Sequence, residues 1–204
     1  EDKYERMFKG KIIKRLLKEF SDDIKFYTNS DKKIMCEDYR NAQFGTFDNF
    51  YYRADDMIYG TLKNGSVINM VDCFVRENCA DENKTGNYYK KEKNKSTKIE
   101  LDSSEFEKIY NVYSEDKVTT FQLITSDTMQ MLIDFEKENG ITPELTMYEN
   151  KLYIRFETGK MFEPTYFEKK RALDYETLKK YYNTMCFTLK FTEKITKNIK
   201  ETEI

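Results

Sequence analysis

Two long β-prone runs on either side of Asn64-Gly65 constrain the fold of this chain more than any other feature. The stretch FYYRADDMIYGTLKNGSVINMVDCFVRE, residues 50–77, is rich in aromatic and β-branched residues, which favour strands. The Asn-Gly dipeptide can take the positive φ angles that a type I′ turn requires. The sequence therefore predicts a long antiparallel hairpin.

Residues 1–20 predict a helix whose apolar side changes direction at Gly10. Beyond Gly10, the aliphatic residues lie on one side and a basic face lies opposite, formed by Lys11, Lys14, Arg15 and Lys18. This pattern is typical of a helix that covers a core with a solvated back, and also of a helix that lies on an anionic membrane.

The segment SSEFEKIYNVYSEDKVTTFQLIT, residues 103–125, predicts scaffolding and not a catalytic signature. Residues 118–124 are β-branched and aromatic, which favours a strand, and residues 125–127 are candidate caps for a helix that ends at Asn139-Gly140. A short helix precedes the strand, because two pairs have capping-box spacing, namely Asp102 with Glu105 and Ser104 with Glu107.

The remainder of the chain predicts a polar loop or frayed strands, a second hairpin and a long terminal helix. The polar segment is residues 77–98, and the hairpin covers residues 144–156. The last helix begins near Asp174 and runs almost to the end. Phe187 and Phe191 lie opposite its main apolar stripe, so they are either buried by a second covered face or exposed as a contact site.

These elements predict an α+β fold. A mainly antiparallel, hairpin-rich sheet packs against N-terminal, central and long C-terminal helices, and residues 1–204 form a single domain because no linker divides them. A pleckstrin-homology-like barrel is the alternative architecture.

The absence of histidine limits the chemistry of the chain most strongly. Ser-His-Asp, Cys-His and histidine-based zinc or non-haem iron sites are excluded. The four cysteines, which are Cys36, Cys73, Cys79 and Cys186, have no C-x₂₋₄-C pair, so we expect free, metal-free thiols in a reducing compartment. No cofactor is expected, because glycine-rich phosphate-binding motifs are missing.

Charge and hydropathy argue against nucleic acid and against a membrane span. The net charge is −2, so no cationic field would attract phosphate backbones. No apolar run approaches the ~18 residues that a span needs, and the charged start at Glu1 does not predict a signal peptide.

Acidic residues leave one enzymatic alternative open, which is a carboxylate- and Mg²⁺-dependent hydrolase that uses Asp55, Asp56 and Asp72. Adjacent strand residues point to opposite faces, so Asp55 and Asp56 cannot share one metal ion unless a bulge intervenes. We therefore expect both side chains to be solvated on an edge or surface strand.

Three stretches resemble an uncharacterised bacterial group, domain-of-unknown-function family 3137. They are LDSSEFEKIYNVYSEDKVTTFQLITSDTMQMLIDF, NKLYIRFETGKMFEP and DMIYGTLKNG, at residues 101–135, 150–164 and 56–65. The resemblance implies a soluble domain that follows transmembrane helices, on the cytoplasmic face of the cell membrane. It brings no catalytic residue. Family members carry an apolar, glycine-containing strand where residues 77–98 lie here, and this chain has none.

The sequence thus predicts a non-catalytic binding or scaffold module of a membrane-anchored bacterial protein. Its partner would be a protein or a lipid, with weak contact to an anionic membrane surface and no contact with nucleic acid. The candidate binding residues are Lys11, Lys14, Arg15, Lys18, Phe187 and Phe191.

Overall fold

A computed structural model describes residues 3–28, 42, 50–62, 64–77, 96–148, 151–159, 161–163, 165–167, 170–172 and 174–202. The N-terminal helix consists of α1 (Lys3–Met7), a π-helix (Phe8–Ile13) and α2 (Lys14–Lys18). The other helices are α3 (Ser104–Glu107), α4 (Lys117–Leu123), α5 (Ser126–Asn139) and α6 (Tyr175–Thr202). The strands are β1 (Lys25–Tyr27), β2 (Phe50–Thr61), β3 (Val67–Glu77), β4 (Thr97–Ile99), β5 (Val112–Ser114), β6 (Glu144–Tyr148), β7 (Lys151–Arg155), β8 (Thr165–Phe167) and β9 (Lys170–Ala172).

The fold is α+β, as the sequence predicts. The described strands form one three-stranded sheet, in the order β1-β2-β3, and three two-stranded sheets, rather than the single closed sheet of a barrel. The chain divides into two compact units, the first made of Glu1–Asn78 and Leu145–Met185, the second of Cys79–Glu144 and Cys186–Ile204. The single domain over residues 1–204 stays a prediction.

The β2–β3 hairpin is confirmed, but its turn differs from the expected one. Leu62 N donates to Ser66 O at 2.8 Å, and Gly65 N donates to Leu62 O at 2.9 Å. Of Asn64 and Gly65, only Gly65 has a positive φ, at 86°. A type I′ turn needs positive φ at both central residues, so the turn instead has the pattern in which one left-handed glycine ends a longer loop.

The N-terminal helix explains the change of apolar side at Gly10. A π-helix bonds residue i to residue i+5, so Phe8 and Ile13 come to the same side even though an α-helix would separate them. Leu17 follows Ile13 by four residues in regular α-helix and continues that side. All three side chains are at most 2% exposed, so the π-helix joins two offset apolar patterns into one buried side.

The predicted strand at residues 118–124 is wrong, because this segment is helix α4. Asp116 Oδ1 accepts hydrogen bonds from Val118 N at 2.9 Å and Thr119 N at 3.1 Å, which satisfies two amides at the start of the helix. The polar turn before the segment is thus a helix cap. This local cap and the burial of Thr120 and Leu123 on one side outweigh the β propensity of the segment.

Helices α3 and α5 agree more closely with the capping residues predicted from the sequence. The cap of α3 is Ser103, one residue from either expected position, and its Oγ accepts from Phe106 N at 3.3 Å. Glu107 Oε1 accepts from Leu101 N at 2.9 Å. Helix α5 ends at Gly140 with φ 62°, as predicted, because glycine takes the left-handed conformation without steric cost.

The second hairpin, β6–β7, is confirmed, and its turn at 149–150 lies outside the described residues. Most of the segment 77–98 also lies outside them, together with the strand that the family resemblance would place there. At its end, β4 pairs antiparallel with β5.

Helix α6 is confirmed as the long terminal helix, and Asp174 caps it by accepting from Glu176 N at 3.2 Å and Thr177 N at 3.3 Å. Phe187 and Phe191 are 7% and 0% exposed. The two rings stack at 5.3 Å, and Phe187 contacts Phe135 with ring centroids 4.3 Å apart. The buried alternative is therefore the one that the structure shows.

Replacing Gly60 in β2 tests how closely the backbone packs around the three-stranded sheet. A Cβ at this position would lie 2.6 Å from Asp23 O and 2.7 Å from Ile24 Cα, both backbone atoms. We expect Gly60→Ala to lower the free energy of unfolding by about 1–3 kcal/mol, as overpacking does.

Gly10→Ala is the matched control, because a Cβ at Gly10 would meet nothing within 4 Å. Removing a helical glycine should leave stability unchanged or raise it by up to about 1 kcal/mol. Urea unfolding of both variants checks the pair. Equal stability of the two variants would contradict the close approach at Gly60.

Candidate functional site

A buried lysine, Lys9, lies among three carboxylates in the first unit. Its side chain is 4% exposed. Its Nζ is 2.6 Å from Glu163 Oε1, 2.8 Å from Asp56 Oδ2 and 3.1 Å from Glu5 Oε1. These four residues are called the Lys9 cluster below. A fully desolvated lysine is rare in proteins unless it is paired, so its position must be explained by these partners.

The N-terminal helix supplies two members of the cluster. Lys9 follows Phe8 in the π-helix, and both residues are buried. Glu5 precedes Lys9 by four residues, which is the spacing of neighbouring side chains on a helix surface. The helix thus carries both the cation and one of its anions.

Asp56 enters the cluster from a β-bulge in the central strand. Ala54 pairs with Cys73 and Met57 pairs with Val71, so β2 contains one more residue than β3 across this interval. The bulge sets Asp55 and Asp56 opposite Asp72. Asp56 is 0% exposed. The expectation that it is solvated on an edge or surface strand is wrong, because β2 is the central strand of its sheet and Asp56 lies on its buried side with Ala54 and Ile58.

Glu163 is held by its backbone as well as by its carboxylate. Tyr181 Oη donates to Glu163 O at 3.1 Å. Two residues earlier, Met161 N donates to Asp72 Oδ2 at 2.9 Å. Contacts at both ends of this short segment and the ion pair with Lys9 fix where the Glu163 side chain points.

Phe162 lies between these two anchored residues in a strained conformation. Its φ is 61°, and it is the one non-glycine residue in the described part of the chain with a positive φ. A bulky side chain in this region costs about 1–3 kcal/mol. The ring is 1% exposed and contacts Phe26 and Tyr181, with centroids 6.0 Å and 5.6 Å away, and this burial offsets the strain.

The electrostatics of the cluster are set by burial and by an excess of negative charge. Burial raises the pKa of Asp56 to about 6; contact with Lys9 opposes this shift, and the nearby Asp55 and Glu163 add to it. Burial acts to lower the pKa of Lys9, but its contacts with Asp56 and Glu163 outweigh burial and raise that pKa. Lys9 is therefore a fixed ammonium and not a nucleophile.

The two oxygens of Asp56 are unevenly satisfied. Oδ2 lies within ion-pair distance of Lys9 Nζ but without hydrogen-bond geometry, and Oδ1 has no donor among the described residues. An unsatisfied carboxylate oxygen in a buried position is costly. Burial and the missing donors both disfavour the charged form of this carboxylate.

The residues predicted from sequence fall into two groups in the structure. In the first group, the four basic residues of the N-terminal helix have exposed side chains. They are Lys11, Lys14, Arg15 and Lys18. Phe187 and Phe191 are buried in the second unit and offer no ring surface to a partner.

The candidate acids and thiols are placed as follows. Asp55 is half-buried, and Asp72 accepts from Met161 N. No group of three or more Cys, Asp and Glu among the described residues is arranged to hold a metal ion. Cys73 and Cys186 are not in disulfides, and burial raises the pKa of the Cys73 thiol. The other two cysteines lie outside the described residues.

Sequence reasoning missed Lys9 and Glu163 as members of a site. Two signals were present. Lys9 directly follows Phe8 where the apolar side changes, and Asp56 lies in a strand of aromatic and β-branched residues. A charge in such positions predicts a buried partner of opposite sign, although the sequence cannot identify Glu163 as that partner.

The chain belongs to a family of proteins of unknown function, DUF3137, whose model matches residues 64–197, well over half of the chain. Glu163 and Asp72 lie inside the matched region, whereas Lys9 and Asp56 precede it. Neither the curated proteins nor the solved structures compared with the chain gave a match. None of the described helices is long and apolar enough to cross a membrane.

Replacing Lys9 tests the cluster as a structural link. Lys9→Met keeps the length of the side chain but leaves Asp56 buried without its cation, so we expect a loss of about 3–5 kcal/mol in the free energy of unfolding at pH 7. Lys11→Met, two residues away and exposed, should change stability by less than about 0.5 kcal/mol.

Urea unfolding at neutral pH measures both variants. A loss in Lys9→Met no greater than that in Lys11→Met would show that the cluster contributes nothing to stability.

Proposed function

We propose that this protein is a non-catalytic binding module of a membrane-anchored bacterial protein, and that its N-terminal helix rests on the anionic cytoplasmic leaflet. One observation carries the proposal: the basic side chains of the helix are exposed while its apolar side is buried in the first unit. Lys11, Lys14, Arg15 and Lys18 have the spacing i, i+3, i+4 and i+7, which places them on one face.

The burial of the apolar side determines the mode of contact. Phe8, Ile13 and Leu17 are each at most 2% exposed, so they are not available for insertion into lipid. Lys9 further ties the helix to Asp56 and Glu163. The helix would therefore meet the membrane through its charges alone and would orient the module without inserting it.

The size of the expected interaction follows from the number of cations. Each Lys or Arg near an anionic surface contributes up to about 1 kcal/mol, and salt screens it over about 10 Å at 0.1 M. The segment Lys11–Lys18 contains no acidic residue, whereas the whole chain has a net charge of −2. Binding should thus be weak, dependent on salt and confined to one face.

The alternative, a carboxylate- and Mg²⁺-dependent hydrolase, is favoured by no observation. Its three candidate acids meet at the bulge, but Asp56 faces the Lys9 ammonium, which repels a metal ion. Asp72 is used to hold Met161 N. The binding module is the better-supported function.

Vesicle co-sedimentation tests the basic face. The test variant is Lys11→Gln/Lys14→Gln/Arg15→Gln/Lys18→Gln, and the control is Lys108→Gln/Lys179→Gln/Lys190→Gln/Lys200→Gln, which removes four other exposed cations. Both variants have the same net charge, so they differ only in where charge is lost. At low salt we expect the test variant to bind phosphatidylglycerol-containing vesicles at least about tenfold more weakly than the parent.

The control variant should bind within about threefold of the parent, and phosphatidylcholine vesicles should bind neither protein. Three results would contradict the proposal: no binding of the parent at low salt, equal binding to both kinds of vesicle, or an equal loss in the two variants.

A further inference from the structure

We propose that the Lys9 cluster is a proton-binding site in which Asp56 takes up one proton as the pH falls, and that this proton stabilises the first unit. The proposal goes beyond the lipid-binding role, because it needs no membrane and concerns groups on the opposite side of the helix from the basic face.

The geometry of the cluster gives the first argument. Three carboxylate oxygens each lie within 3.1 Å of the same ammonium nitrogen. Those oxygens are therefore within roughly 6 Å of each other, a range in which like charges raise each other's affinity for protons. One ammonium against three carboxylates leaves two negative charges in excess, in a site where Asp56 has no exposed surface.

The elements around the cluster bring further charged and polar groups close to Asp56. On the hairpin, Asp55 adjoins Asp56 and Asp72 lies across the bulge. Helix α6 contributes the Tyr181 hydroxyl, which is neutral and donates to Glu163 O. The N-terminal helix brings Glu5 with Lys9. Lys9 is the cation in contact with Glu5, Asp56 and Glu163, and Arg155 of β7 acts on Cys73 beside Asp72.

Burial and contacts identify Asp56 as the group that accepts the proton. Glu5 and Glu163 keep 20% and 18% of their side-chain surface exposed, whereas Asp56 keeps 1%. Its Oδ1 has no donor among the described residues and so has a lone pair available. A proton from solvent binds there and no other bond breaks. Lys9 then remains paired with Glu5 and Glu163, and the net charge of the cluster changes from −2 to −1.

The sign of the effect on stability follows from the direction of the pKa shift. The pKa of Asp56 rises from 3.8 to about 6 on folding, so the folded state binds more protons than the unfolded state between these values. Stability from this group is fully present below the unfolded pKa and is lost as pH rises through about 6. Between pH 7 and pH 5 the folding equilibrium constant should increase about tenfold.

Other carboxylates change the stability of the protein in the opposite direction, and they do so at lower pH. The pKa values of Asp116, Asp127 and Asp174 are lowered, chiefly by side-chain hydrogen bonds with Thr119, Lys194 and Thr177 respectively. Their stabilising contribution is present above the unfolded pKa and is lost as pH falls through the folded one. Between pH 5 and pH 7 the change in stability therefore reports the protonation of Asp56 and not that of these three carboxylates.

The test compares Asp56→Asn with Asp55→Asn by urea unfolding from pH 5 to pH 7.5. The NMR signals of the β2–β3 hairpin report the unfolding. The parent should become about tenfold more stable, as the folded-to-unfolded ratio, when pH falls from 7 to 5, and Asp55→Asn should keep most of this increase, because burial and not Asp55 is the largest cause of the raised Asp56 pKa. Asp56→Asn should show no such increase, because an amide binds no proton in this range.

A carboxyl ¹³C titration of the folded parent protein gives a second measurement that does not depend on the folding of any variant. An Asp56 midpoint near pH 6 supports the proposal. A midpoint below about 4.5, an inflection that belongs to Glu163 instead, or an unchanged pH dependence in Asp56→Asn overturns it. None of these measurements involves lipid, so the proton site and the membrane contact can fail separately.

Discussion

The first unit depends on the ion pairs of the Lys9 ammonium. The ammonium joins the N-terminal helix to the bulge of the central strand through Asp56 and to the Met161–Glu163 segment through Glu163. These parts are distant in sequence, and their charges would be costly to bury one at a time. The cluster therefore favours the arrangement of the helix, the hairpin and the segment seen here, since separating them while these groups stay buried would leave a charge without its partner.

Features set by local chemistry could be predicted from the sequence. Asn64-Gly65 identifies a hairpin, Gly140 ends α5 in the left-handed conformation, and Asp174 begins α6. Each of these depends on residues within a few positions of one another, which a single sequence displays. The same reasoning predicts the exposed basic face, because spacing alone places those side chains on one side of a helix.

Features that depend on irregular backbone or on distant partners could not be predicted in the same way. Strand propensity at residues 118–124 competed with the Asp116 cap, and the cap prevailed. Alternation of faces puts Asp56 on the same side of β2 as the buried Ala54 and Ile58, but the sequence does not show that this side is covered or that Lys9 lies there to pair with the charge. Lys9 can be buried because it lies in the π-helix and its ammonium pairs with Glu163. No spacing rule connects two residues that are 154 positions apart.

The π-helix between Phe8 and Ile13 has a consequence for comparing this chain with its relatives. It accommodates one residue more than an α-helix would need to carry the same apolar side, so it is the structural equivalent of a single-residue insertion. Deleting one residue near Gly10 would set Phe8 and Ile13 four positions apart and leave their common side intact in a regular α-helix. A one-residue alignment gap at this point is therefore compatible with an unchanged helix position, and the residues before it should be aligned separately from those after it.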